Sequence, residues 1–435
     1  MPSRWRSRCK SRHVARQARG PAFRVAGFVR LRKCRGWVII RVGRHPPVAA
    51  SWDVWYNKPK KDVEVNMAFA ERVEIIKQIQ ELRKSKVVTY FTSDRRTFPS
   101  GFSLPALKTL LATEAQILLY DQLRSLGKTD NLDLFLYTRG GQVDSVWPLV
   151  SIFREYALKQ FAVLVPFRAH SAGTLVCLGA NKIIMGEAAE LSPVDPTAGN
   201  QFNPVDEVDK RTRRGISVED VTSYIELAKD PVKVGLEHPD HILEVFKRLS
   251  EEVHPIALGN VNRVHTQIRI LAGKLLELHL QGDEEKARTE QIVDQLTKSL
   301  YSHTHALNRK EAKEILGEDL VVEATEEEQK LLWQLYEEYA QALQLRETFC
   351  ADSLVVSNQP QQELTINGGF IETEKQSLVF RSRCRIRLSS NIPQGVQVQV
   401  PPGQPMPLIP GLPVNIDVKV LSIGWETADA PEKGE

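Results

Sequence analysis

The chain has 435 residues, 42% of them hydrophobic and 26% charged, more than one compact core holds, so two or more domains are expected. Five cysteines, at 9, 34, 177, 350 and 384, fall in neither CxxC nor metal-ligand spacing, so no disulfide framework, no metal site and no cofactor are expected. No apolar run approaches the roughly 18 residues of a membrane span, and the short apolar stretch at Trp37 is broken by arginine, unlike a secretory signal. A reducing, cytoplasmic setting is the default that follows.

The net charge of +4 conceals two opposite parts. The first 50 residues hold 14 Lys or Arg and no Asp or Glu, leaving 44 basic and 54 acidic residues in the other 385. Residues 1–66 show no helical or strand periodicity. One reading is a basic arm for nucleic acid or an anionic membrane surface. The expected one is a disordered tail, or sequence upstream of a start at Met67. The acidic body argues against nucleic acid as a partner.

Residues 67–84 then read as an amphipathic helix and Val87 to Phe91 as a short strand. Leu104 to Leu126 gives a second helix. Leu132 to Thr138 is an apolar run of strand length ending in Arg139-Gly140-Gly141. Residues 143–158 are helical, Phe161 to Val165 is a strand, Ser171 to Asn181 a helix of small residues, Lys182 to Met185 a strand, and Glu190 to Val194 a further candidate strand. Strand, glycine turn, helix, strand predicts βαβ units on a mostly parallel sheet. Residues 217–316 are mainly helical, with Ser217 and Asp220 as an N-cap pair. Thr325 and Glu328 form a capping box for a helix reaching about Arg346. Past residue 350, period-two alternation in Phe380 to Leu388, Val396 to Val400 and Val414 to Val420 predicts a small all-β unit. The expected divisions are 1–66, 67–322, a connecting helix 323–349, and 350–435.

Two segments carry chemistry. Tyr137-Thr138-Arg139-Gly140-Gly141 turns a buried strand into a helix, and tandem glycines let backbone approach a ligand with N–H groups outward. Val165 to Thr174 places Ser171 at the start of a small-residue helix, where the dipole and backbone N–H groups favour a developing oxyanion. Each alone is usually only a turn or a cap. Thirty residues apart across one βαβ unit, both fall at the carboxyl ends of adjacent strands, where open α/β sheets bind ligands.

At these residues the sequence resembles a known family. The Thr-x-Gly-Gly turn, Ala169-His170-Ser171-Ala172-Gly173-Thr174, Ile183-Ile184-Met185-Gly186 and Leu191-Ser192-Pro193-Val194-Asp195-Pro196 look like the serine dehydrogenase proteinase family. That family is related to signal peptide peptidase A and the Clp peptidase and crotonase fold. His305 to Gly317 is similar to its closing helix-to-strand motif, so the likeness runs from about residue 67 to 322. The resemblance implies an α/β, Clp/crotonase-like βαβ superhelix, here with a helical extension and a small C-terminal all-β domain. It also implies an ATP-independent serine endopeptidase of Ser-Lys type, acting on peptide or protein substrates and assembled as a homo-oligomer. Ser171 would be the nucleophile, and Gly140, Gly141 and the Ala172 N–H would form the oxyanion hole.

Two departures stand out. Arg139 replaces the proline usual before the double glycine. At the Clp-type histidine position stand Asp195 and Pro196, so the base stays open. Lys229 and Lys233 lie 58 and 62 positions after Ser171, and Lys229, ending an apolar helix pattern, fits better. A lysine base must be buried or near another cation to lose its proton. His303 and His305 are further candidates, while His170 is expected to point elsewhere as a structural or substrate-facing residue. A catalytically inactive peptide-binding scaffold and a crotonase-like acyl-thioester enzyme are the alternative functions. Residues 256–280 carry apolar side chains on more than one helix face, so that helix must be covered by its own sheet or by another subunit, and a homo-oligomer with the helical stretch 239–302 at its interface is expected.

Overall fold

The computed structural model describes residues 63–98, 104–194, 197–198, 200–206, 213–299, 305–350, 361–390 and 414–428. Residues 1–62, Asp195, Pro196, His303 and Val396 to Val400 therefore lie outside the described residues, while residues 63–66, expected to lack periodicity, are helical.

Helix α1 (Val63–Arg83) leads into β1 (Lys86–Thr92), and a short β2 (Thr97–Phe98) follows. The helix expected over 104–126 is shorter. Only α2 (Ala115–Leu126) forms, because Pro105 removes a backbone donor, Ala106 sits at φ 71° and Leu111 is paired elsewhere. β3 (Thr129–Tyr137), a 3-10 turn (Val143–Ser145), α3 (Val146–Tyr156) and β4 (Ala157–Val165) make the first βαβ unit. Then come β5 (Arg168–Ala169), α4 (Ala172–Leu178), β6 (Lys182–Met185), β7 (Glu190–Leu191), β8 (Thr197–Ala198) and β9 (Ile216–Ser217).

The expected helical stretch is α5 (Val218–Lys229), α6 (Pro239–Glu252), α7 (Pro255–Glu277), α8 (Asp283–Asp294) and, after β10 (Leu307–Asn308), α9 (Arg309–Leu316) leading to β11 (Val321–Glu323). The Ser217 hydroxyl accepts from the Asp220 N–H. The Thr325–Glu328 capping box opens α10 (Glu326–Ala342). Last are β12 (Phe349–Cys350), β13 (Gln361–Glu372), β14 (Ser377–Ser390) and β15 (Val414–Thr427).

Among the described residues one sheet runs β11-β6-β4-β3-β1-β13-β14-β15. Its first five strands are parallel and its last three antiparallel. The mixed α/β class expected is present. The β strands expected after residue 350 are also present, but they continue this sheet through the β1–β13 pair rather than standing beside it. The parallel strands are apolar on both faces because helices cover both. Val87, Phe91, Phe135, Tyr137 and Leu164 pack on α1 and α10. Val88, Leu134, Leu136, Val163 and Val165 pack with side chains of α2, α3, α4 and α7.

A buried ion pair joins α1 to β13. Arg72 donates to both Glu372 oxygens, at 2.9 and 2.7 Å, with side chains 1% and 0% exposed. Tyr339 and Ser377 hydroxyls also donate to that carboxylate, and the guanidinium lies over the Tyr339 and Phe370 rings. Burial alone would weaken the Arg72 charge, yet Glu372 holds its pKa above the ordinary value.

Helix α7 buries Ala257, Val261, Ile268, Ala272, Leu275 and Leu276 within its own chain, against α4, α5 and α8. Its buried apolar residues thus have an intramolecular explanation, while Ile256 and Ile270 stay half exposed. Helix α6 has no buried residue, and Leu243 and Phe246 are half exposed.

Candidate active site

The parallel strands β1, β3 and β4 end at one edge of the sheet. Three segments leave them there: Ser93-Asp94, Thr138 to Gln142, and Pro166 to Ser171. Backbone hydrogen bonds stitch the last two together, Thr138 N–H to Arg168 O at 2.9 Å and His170 N–H to Thr138 O at 3.1 Å. The 104–111 segment that fails to become helix walls the site. Leu111 N–H donates to Gly140 O, and Gln142 N–H donates to Leu111 O.

Ser171 sits at φ 52° and ψ −114°, in the left-handed half of the map, immediately before α4. A non-glycine residue rarely adopts such a backbone, and such strain clusters at functional sites. A sharp strand-to-helix turn also presents a nucleophile in hydrolases. Its N–H donates to the Ser192 hydroxyl at 2.8 Å, and that hydroxyl donates to Pro193 O. Thr174 Oγ1 donates toward Ala169 O and Ser192 O and accepts from the Ser192 N–H. These bonds hold the strained turn against β7. The Ser171 side chain makes no capping bond.

Gly140 (φ 109°) and Gly141 (φ 156°) have backbones that L side chains rarely adopt. A Cβ on Gly140 would stand 2.8 Å from Ser171 Cβ and 3.3 Å from its Oγ, and one on Gly141 would stand 2.2 Å from Leu111 O. The Gly140 N–H, expected to face an oxyanion, donates instead to Thr138 Oγ1 at 3.1 Å. The Gly141 and Ala172 N–H groups have no acceptor among the described residues.

His170 turns away from this centre. Its Nε2 lies 3.3 Å from Glu190 Oε1, off the hydrogen-bonding direction, so that buried nitrogen has no hydrogen bond among the described residues. Glu190 Oε1 instead accepts from Arg168 Nε. Burial, aided by the Arg139 and Arg168 charges, lowers the His170 pKa to about 4 against the opposing pull of Glu190. The ring is neutral near pH 7.

The other base candidates are scattered. Lys229 is exposed at the end of α5. Lys233 is exposed and pairs with Asp230 at 3.2 Å. His305 bonds to Glu311 at 2.7 Å. Among the described residues no base reaches Ser171 Oγ by a hydrogen bond, and no cluster of His, Cys, Asp or Glu is placed to hold a metal ion. No described helix is long and apolar enough to cross a membrane.

Ser171, Ala172, Gly140 and Gly141 do come together. Residues 58–233 match the family model described as ClpP-like SDH-type serine proteinase. The resemblance read from the motifs holds over that segment, which spans Ser171 and both lysines. Two relatives come from Methanocaldococcus jannaschii. Uncharacterized protein MJ0137 is 26% identical over 277 residues, 64% of this chain and 81% of the relative. Uncharacterized protein MJ1495 is 24% identical over 230 residues, 48% of this chain and 77% of the relative. Among solved structures, 1510-N membrane-bound stomatin-specific protease is similar. A mutant in complex with a substrate peptide has 13% identity and TM-score 0.30, covering 49% of this chain and 71% of that one. A second mutant has 13% identity and TM-score 0.29, covering 49% and 75%.

Asp94, Glu190 and Ser192 belong to the site by contact but carry no role in the sequence reading. Ser192 stood inside a motif already quoted. Asp94 stands two residues past the end of β1, at the same sheet edge as the two glycine and serine turns, and the carboxyl-end rule applies to it equally.

Proposed function

We propose that the chain is a serine peptidase with Ser171 as nucleophile. The observation that carries this reading is the strained Ser171 turn lying against Gly140, with the Gly141 and Ala172 N–H groups free of acceptors among the described residues. Ser171 Oγ would attack the peptide carbonyl, and those two donors would hold the oxyanion of the tetrahedral intermediate. Gly140 would contribute by leaving room for the substrate carbonyl rather than by donating. The match of residues 58–233 to a serine proteinase family supports the reading.

The proposed base is Lys229, with Lys233, His303 and His305 behind it. Lys229 is exposed in the single chain, so the base role requires that a neighbouring copy or bound peptide cover α5. A homo-oligomer working in the cytoplasm without ATP would meet that requirement and keep folded proteins from the nucleophile. Light scattering during size exclusion tests assembly, and a monomer of full activity refutes it.

The absence of a base beside Ser171 among the described residues favours a second reading, an inactive peptide-binding scaffold. A fluorophosphonate probe separates the two. Labelling of the full chain, lost in Ser171→Ala, supports the peptidase. An unlabelled wild type supports the scaffold. Turnover of acyl thioesters that survives Ser171→Ala would instead point to crotonase-like chemistry.

A further inference from the structure

We propose that Asp94 is a positioning residue whose one carboxylate clamps the glycine turn and the serine turn to each other, an inference that rests on the peptidase reading for its catalytic consequence.

Three side chains from two segments converge on it. Tyr137 donates its hydroxyl to Oδ1 at 2.9 Å. Arg168 NH1 donates to Oδ2 at 3.3 Å. Arg139 Nε lies 3.2 Å from the same Oδ2. Tyr137 and Arg139 flank Thr138 at the head of the Gly140-Gly141 turn. Arg168 is three residues before Ser171. Asp94 itself is anchored at the end of β1 by its bridge to Lys108 and is 15% exposed.

The struts are stiff where stiffness counts. The Tyr137 ring is buried and stacked on Phe91 with centroids 4.4 Å apart. The Arg168 guanidinium lies over the Phe167 ring at 4.1 Å and also donates to Glu190. Charge-assisted bonds to one carboxylate are stronger than neutral ones, and they strengthen away from solvent. A carboxylate bonded to both turns resists their separation. The distance between Ser171 Oγ and the Gly141 N–H is what an oxyanion hole must preserve, and a misplacement near 1 Å can cost about a hundredfold in rate. Nothing in the clamp needs Asp94 to touch substrate.

The test compares the full chain with Asp94→Ala and Asp94→Asn by amide hydrogen exchange and by fluorophosphonate labelling. Expected for Asp94→Ala is exchange about tenfold faster in both 138–142 and 168–173, with β13 and β14 unchanged. Asp94→Asn, which keeps the shape and one acceptor, falls between and serves alone should the alanine variant not fold. Exchange altered in neither segment, in only one of them, or throughout the chain overturns the clamp. In labelling, the maximal rate constant falls about tenfold or more while the reversible affinity for the probe holds. Unchanged labelling beside loosened turns overturns the positioning role. An unlabelled wild type strikes the peptidase reading alone, since the exchange comparison judges the clamp without it.

Discussion

Gly140 lies so close to Ser171 that a methyl group added to it would stand 2.8 Å from the serine Cβ. The contact also involves His170 O, at 3.1 Å from that same methyl position. Gly140→Ala therefore meets both a steric clash and an unfavourable φ. It should destabilise the chain by about 1–3 kcal/mol and cut Ser171 labelling far more than that loss of folded protein explains. Thermal melting beside labelling of the folded fraction checks this. Full labelling by the variant would mean that the turn moves freely.

Ser171→Ala should leave stability within about 1 kcal/mol of wild type, because the hydroxyl makes no capping bond. Ser171→Gly should be the more stable of the two variants, since glycine relieves the backbone strain at φ 52°. Denaturant midpoints compare them. The opposite order would remove strain as the reason for this geometry.

His170 predicts an acid-side loss of stability. Its pKa is lowered to about 4 in the fold, with burial the largest cause, against about 6.5 in an unfolded chain. Below pH 6.5 the unfolded chain takes up the proton first, so stability falls with pH until about 4. It is fully present above 6.5. His170→Asn should flatten that part of the pH profile, measured as the denaturant midpoint between pH 7 and 4. An unchanged profile would assign the acid loss to other groups.

Arg72→Met should cost about 3–5 kcal/mol, because it leaves Glu372 charged and buried without its cation. Pairing it with Glu372→Gln should recover part of that cost. Equilibrium unfolding of the two single variants and the double variant measures the coupling. Strict additivity would show that the pair contributes no interaction of its own.

Lys229→Ala should lower labelling more than Lys233→Ala, whose ammonium is already committed to Asp230. The reverse order would move the base to Lys233, and two active variants would direct attention to His303 and His305.

Much of the parallel half was legible because buried strands of a parallel sheet are apolar on both faces and end in turn residues. Leu132 to Thr138 and Phe161 to Val165 are of that kind. So were the caps at Ser217 and Thr325, which depend on spacing within one turn of helix. The 104–111 segment reads as helix because its leucines have helical spacing, while its pairing to Gly140 and Gln142 is a tertiary fact. Of the site, Ser171 and the glycines carried a local pattern. Asp94 carried none, since its partners lie 43 and 74 positions away. The engagement of the Gly140 N–H by Thr138 is a matter of side-chain rotation, which no residue spacing encodes.

The attachment of β13 to β1 bears on how the chain acquires its fold. Strand β1 is among the first parts of the body to be synthesised, its antiparallel neighbour β13 begins only at Gln361, and the carboxylate that neutralises Arg72 comes 300 positions after that arginine. Pairings so distant in sequence form slowly, because the loop must close before the contacts reward it. The body's early segments must therefore leave the ribosome with one sheet edge open and one guanidinium unpaired. During that interval the nascent chain presents a sticky edge to its neighbours. Shielding by a chaperone, or rapid translation through residue 372, would shorten or cover that interval and raise the yield of native protein.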